Sequence, residues 1–183
     1  KRPFYAEDRT QQRQKTYQRI IRKLTEGNLP GKEHAVSYLQ HKYRHNLRTA
    51  TLRASGYNIT FFLFFLQEKG RLRLEDLTRR DVEAYVEQEQ DKGLTIQSVK
   101  TKLTALYAFL SYLVKSGILP QEILERKIRL KLPEALPRAI VFEDIKILLA
   151  VVTEVRDRAM ILILLRTGMR IGELINLQDS DIN

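Results

Sequence analysis

Three glycines divide the middle of this chain into segments of helical length. Gly70, Gly93 and Gly117 lie 23 and 24 residues apart, and each follows a lysine by one or two positions. Glycine adopts the left-handed conformation that ends a helix without a Cβ penalty, and a lysine in the last turn meets the negative end of the helix dipole. Between these stops the apolar residues recur every three or four positions, as in Val82, Tyr85 and Val86, or Val99, Leu103, Leu106, Leu110 and Leu113. That period belongs to helices with one buried face, and no segment shows the strict alternation of a half-buried strand. The chain is therefore expected to be mostly α.

The same reading extends in both directions. Tyr17, Ile20, Ile21 and Leu24 mark one helical face in a basic segment ending near Gly27. After a break at Leu29-Pro30-Gly31, Ala35, Val36, Leu39 and Tyr43 mark a second helix, and Leu52, Ile59, Phe62, Leu63 and Leu66 a third. Thr78 and Thr95 stand where N-caps are needed for the two helices that follow. The run Phe61–Leu66 reads as core at helical spacing rather than as a base-stacking platform. Residues 32–117 are thus expected to form a compact four-helix domain, preceded by a basic helix or arm over 1–31. That arm could contact a polyanion, act as a linker or bind a partner. Residues 118–139 hold three of the five prolines and five basic residues and read as a proline-stiffened linker. A second helical unit spans 140–183. It opens at Phe142-Glu143-Asp144-Ile145 and continues through a very apolar helix around Ala159–Leu165.

Charge narrows the choice of partner. Residues 1–53 carry 13 Lys and Arg against 4 Asp and Glu, whereas the other 130 residues carry 19 against 18. A basic N-terminal face implies a polyanionic partner. Membrane attachment fits poorly. The longest aromatic run, Phe61–Leu66, has six residues where about 20 are needed to span a bilayer, and Phe4, Tyr5, Tyr17 and Ile20 offer too small an apolar face for a surface helix. With no secretory signal, a cytoplasmic, nucleoid-associated location is expected. There is no cysteine, so disulfides, thiolate metal sites and a thiol nucleophile are excluded. His34, His41 and His45 share one helical face, but no further ligand accompanies them; no metal and no cofactor are expected.

The strongest local signal is Leu165-Arg166-Thr167-Gly168-Met169-Arg170-Ile171-Gly172-Glu173-Leu174. Gly168 can end the preceding apolar helix, Arg170 then opens the next near the positive end of its dipole, and Glu173 lies at i+3 on the same face to orient the guanidinium. A planar, permanently charged fork held this way suits a phosphate. Taken alone, the run also describes a glycine-capped helix followed by an ordinary Arg–Glu pair. Thr167, Gly168, Met169, Arg170, Ile171, Gly172, Glu173, Leu174, Leu177, Asp181 and Ile182 resemble the arginine motif of the tyrosine recombinases, the phage integrase family. Thr51, Phe62, Phe65 and Leu66, the segment Asp76–Val82 and the segment Leu103–Phe109 resemble its core-binding helices. Two departures stand out: Ser55 occupies a usual tyrosine position, and Leu119-Pro120-Gln121 stands where Asn-Pro is customary.

The resemblance implies a four-helix, SAM-like core-binding domain followed by the helical N-terminal portion of an α/β catalytic domain. It also implies site-specific recombination of double-stranded DNA, in which a tyrosine attacks a phosphodiester and forms a 3′-phosphotyrosine. Arg170 would be the first catalytic arginine, with Glu173 supporting it. Core-binding domains of the family sit across the major groove, and the helix starts offer Arg48, Thr49, Thr51 and Arg53 on one element and Thr95, Gln97, Ser98, Lys100 and Lys102 on another. The family's lysine, His-x-x-Arg box and nucleophilic tyrosine follow the arginine motif, and none of the eight tyrosines here lies after Tyr112. This chain alone is accordingly expected to be a fragment that binds DNA without cleaving it and is monomeric, from a parent that acts as a tetramer on paired sites. A DNA-binding module without chemistry, or a helical protein-interaction scaffold, are the competing expectations.

Overall fold

The computed structural model describes residues 4–133 and 139–181, with residues 4–9 and Asp179 described in their backbone only. The expectations for Pro137, Arg138 and Ile182, and for the side chains of Phe4 and Tyr5, lie outside the described residues. Among the described residues there are eight α-helices and no strand: α1 (Phe4–Glu26), α2 (Lys32–Arg44), α3 (Thr49–Glu68), α4 (Arg79–Asp91), α5 (Ile96–Lys115), α6 (Phe142–Val151), α7 (Val155–Thr167) and α8 (Ile171–Ile175). They fall into two units, Lys1–Pro133 and Glu134–Asn183.

In the first unit the punctuation follows the capping chemistry. Gly70, Gly93 and Gly117 take φ of 71°, 75° and 70° directly after α3, α4 and α5. Thr78 caps α4 in a box with Asp81, whose carboxylate accepts from the Thr78 N–H at 2.8 Å and its hydroxyl at 2.7 Å. Helix α3 is the central element. Its Leu52, Ile59, Phe62, Leu63 and Leu66 are fully buried against Val99, Leu103, Leu106, Phe109, Leu110 and Leu113 of α5. Burying each such side chain stabilises the fold by about 1.5–3 kcal/mol. The Phe61–Leu66 run divides between core and surface: Phe62 and Phe65 are buried, but Phe61 and Phe64 are 53% and 45% exposed.

This unit takes in more of the chain than the four helices of 32–117. Ile20 and Leu24 of α1 are buried in the same core. The two helices approach closely because α3 presents Gly56 there; a Cβ on that residue would come within 2.4 Å of Ile20 Cγ2. Its neighbour Ser55 is buried and accepts a hydrogen bond from Lys42 Nζ at 2.8 Å. A tyrosine could not stand at 55 without displacing that contact. Beyond α5, Leu119 and Ile123 are also buried, with a 3-10 turn over Gln121–Leu124. The proline-containing stretch therefore begins as packed structure.

The second unit contains α6, α7 and α8. Gly168 ends α7 with φ 66°. Among its described residues only Leu174 is buried, while Phe142, Ile147, Val151, Val155, Ile171 and Ile175 are each more than half exposed.

Candidate nucleic-acid interface

Arg48 is the N-cap of α3, with extended backbone at φ −57° and ψ 144°. The turn before it is built by the end of α2. Asn46 takes the left-handed φ of 53°, and the Asn46 and Leu47 N–H groups return to Tyr43 O and Lys42 O. Arg13 of α1 holds this turn from outside. Its Nε donates to Leu47 O at 3.1 Å, its Nη2 donates to Tyr43 O, and its guanidinium lies 4.2 Å from the Tyr43 ring centroid. A cation on these carbonyls meets the negative end of α2 and ties down the turn that follows it. Sequence reasoning missed Arg13, although it lies one helical turn before Tyr17 on the same face. Arg48, Thr51 and Arg53 are exposed, Thr49 is half-buried, and neither arginine forms an ion pair with a described residue.

At the start of α5, Thr95 is the N-cap. Its hydroxyl accepts from the Ser98 N–H at 3.3 Å and lies 2.9 Å from the Ser98 hydroxyl, so these two groups satisfy each other. Gln97 and Lys100 are exposed, and Lys100 has no ion pair among the described residues. Lys102 is different. It is paired with Glu89, a carboxylate only 2% exposed that also accepts from Lys92 at 2.9 Å. Burial raises the Glu89 carboxyl, but the hydrogen bonds and charges of Lys102 and Lys92 outweigh it and hold the group below its ordinary value. Lys102 is thus committed to the α4–α5 contact. Glu89 on the α4 stripe of Val82, Tyr85 and Val86 signals a buried acid in the sequence, but not which lysine pairs with it.

The two candidate sets are not neighbours. Lys102 Nζ sits 5.1 Å from the ring centroid of Phe61, whereas Leu47, just before α3, shares a cleft of about 340 Å³ with Ala108, Ser111, Tyr112 and Lys115. Helices α3 and α5 are therefore antiparallel, and the two starts lie at opposite ends of the pair. Thirteen residues separate Arg48 from Phe61, which is about 20 Å along α3. The end near Arg48 also holds His41 and His45, their rings 4.2 Å apart, and Lys42, whose burial pulls its ammonium below the ordinary value. His34 is apart from these two and pairs with Glu75 at 3.6 Å. No group of described residues has the make-up of a metal site, and no helix among them is long and apolar enough to cross a membrane.

Arg170 is the N-cap of α8 rather than a residue of its first turn, with ψ 152°. Its backbone N–H donates to Glu173 Oε2 at 2.8 Å and its Nη1 donates to Oε1 at 3.2 Å. One carboxylate therefore fixes both backbone and guanidinium. The arginine side chain remains 87% exposed and is open to an anion. Just upstream, the Thr167 hydroxyl donates to Ile163 O at 2.7 Å and accepts from the Met169 N–H at 3.3 Å, locking the turn at Gly168.

Comparison with known proteins adds ancestry to this geometry. Residues 36–117 match the phage integrase N-terminal SAM-like domain. The chain is 33% identical over 126 residues to the tyrosine recombinase XerA of Pyrococcus furiosus, covering 68% of this chain and 41% of that protein. It is 31% identical over 150 residues to XerC of Psychromonas ingrahamii, covering 78% and 50%, and 27% identical over 144 residues to XerC of a Roseiflexus species, covering 75% and 46%. The chain spans about half or less of the length of these curated relatives. A SAM-like domain match over residues 36–117, an arginine turn fixed by its own glutamate, and recombinase relatives aligned over 68–78% of the chain lead to one conclusion: the chain belongs to the tyrosine recombinase (phage integrase) family.

Proposed function

We propose that this chain is the DNA-gripping part of a site-specific recombinase, binding duplex DNA along the α3–α5 pair. The observation that carries the reading is the pair of exposed arginines, Arg48 and Arg53, without an ion pair among the described residues, at a helix start that Arg13 braces. The placement of the two helix starts supports it, since the antiparallel α3 and α5 carry them at opposite ends of the pair and can offer cationic and hydroxyl groups to both backbones of a duplex. Arg48, Thr49, Thr51 and Arg53 would meet one strand. Thr95, Gln97, Ser98 and Lys100 would meet the other, with Arg53 or Gln97 reaching base edges and the rest holding phosphates. Lys102 acts by setting the α5 start through Glu89.

In this reading residues 32–117 are the core-binding domain, 1–31 an added basic helix, 118–139 the connection, and 140–183 the opening of the catalytic domain. Arg170 holds a non-bridging phosphate oxygen and Glu173 preorganises it, the arrangement that stabilises charge developing in phosphoryl transfer. In the whole protein that charge would arise as a tyrosine attacks and forms a phosphotyrosine, on DNA sites paired by a tetramer. The 183-residue chain binds without cutting, as a cytoplasmic, monomeric protein needing no metal or cofactor; Tyr112 of α5, its last tyrosine, packs its ring at a tilt against Tyr38 and His41 of α2.

An electrophoretic shift with duplexes carrying inverted repeats tests the reading. Binding should weaken steeply as salt rises, and Arg48→Ala with Arg53→Ala should weaken it further. A shift indifferent to both salt and these substitutions overturns it. A nicked suicide duplex should yield no covalent adduct; an adduct would disprove binding without cutting.

A further inference from the structure

After the 3-10 turn the chain folds back along α5 as an extended strap. Arg126 takes φ 49° at the reversal, and the Ile128 N–H donates to the Tyr107 hydroxyl at 2.8 Å. From there the strap alternates. Ile128, Leu130 and Leu132 are half-buried, and Lys127, Arg129 and Lys131 are exposed. Ile128 and Leu130 pack against the core, which fixes the face on which the cations stand. Between strap and helix lies a cleft of about 760 Å³, whose polar lining comes from Lys100, Thr104, Tyr107, Arg126, Lys127 and Arg129 and contains no carboxylate. None of these cations has an ion pair among the described residues; Lys127 Nζ instead lies 5.5 Å from the Tyr107 ring centroid.

We propose that this α5–strap cleft is a second binding site for a phosphodiester backbone, and that Tyr107 is the positioning residue that gives it shape. A cation-rich cleft without counter-charge draws a polyanion, and its cations count as one site only while the strap is held on α5. The hydroxyl of Tyr107 does that holding, because it accepts the Ile128 N–H and so ties the strap to α5. The inference rests on the DNA-binding reading but uses residues other than the helix starts, except for Lys100.

The test uses the 183-residue chain and a short duplex of arbitrary sequence, titrated with salt. Each phosphate contact contributes about 0.9 to the slope of log K against log salt. Changing Arg126, Lys127 and Arg129 together to Gln should lower that slope by about 2 to 3. Tyr107→Phe removes one oxygen. It should speed amide exchange at Ile128 and tryptic cleavage after Lys127 and Arg129, and lower the slope in part. In the triple-Gln background Tyr107→Phe should cost no further affinity, because a positioning residue has nothing left to position. A triple-Gln slope equal to that of the unaltered chain, with a reduced slope for Arg48→Gln and Arg53→Gln, overturns the cleft and leaves the DNA reading intact. Absence of salt-dependent binding by the unaltered chain overturns both. Faster exchange at Ile128 with an unchanged slope overturns the role of Tyr107.

Discussion

Glu89 shows how one residue can decide what others are free to do. Its carboxylate is buried between α4 and α5 and takes two lysines, one of which would otherwise look like a DNA contact. Because its pKa in the fold lies below the ordinary value, its contribution to stability is complete above the unfolded carboxyl value of about 4.3 and disappears as pH falls through the folded value. Glu89→Gln should therefore cost about 1.5–3 kcal/mol at neutral pH, the range for hydrogen bonds to charged groups. The gap from the unaltered chain should close as pH drops below about 4.3. Urea unfolding at a series of pH values measures this, and equal midpoints at pH 7 would contradict it. Arg170 and Glu173 were legible as a pair from their i, i+3 spacing. Lys102 was not, because a lysine near a helix start reads the same whether it faces water or a buried acid.

Helix α1 carries the corresponding lesson for an element. Its apolar stripe of Tyr17, Ile20, Ile21 and Leu24 was visible in the sequence, but the stripe alone does not say what covers it. The covering surface is made by what α3 lacks: Gly56 has no side chain, and Ser55 beside it is small. Periodicity records apolar residues and is blind to such gaps, so the docking had to be seen in the structure. The antiparallel course of α3 and α5 was hidden for a similar reason, since order along the chain does not give direction in space. Gly56→Ala should destabilise the first unit by about 1–3 kcal/mol through overpacking against Ile20. Leu24→Ala, which empties a fully buried site, should cost about 2–5 kcal/mol. Both should lower the urea midpoint and speed exchange of α1 amides more than those of α4. Wild-type exchange across α1 in either variant would mean the helix is not held where Gly56 admits it.

At the level of the molecule, burial is divided unequally. The contiguous core, from Ile20 to Ile123, lies in the first unit, and the described part of the second unit buries Leu174 alone. Isolated helices shorter than about 12–15 residues are marginal in water unless tertiary packing supports them. Helices α6, α7 and α8 have 10, 13 and 5 residues. The first unit should consequently account for nearly all of the cooperative unfolding. A polypeptide of residues 1–133 should reproduce the urea midpoint and slope of the 183-residue chain, since the slope tracks the surface that unfolding exposes. It should also keep the salt-dependent affinity for duplex DNA, because every cation assigned to the helix starts and to the strap lies within it. Residues 139–183 alone should show weak helical dichroism and no cooperative transition. A shortened chain with a markedly lower midpoint would mean that the exposed apolar side chains of α6 and α7 stabilise the first unit. Arg170 and the α3–α5 pair would then have to be treated as one folding unit, and Arg170 variants would be expected to change DNA binding as well as the proposed phosphate contact.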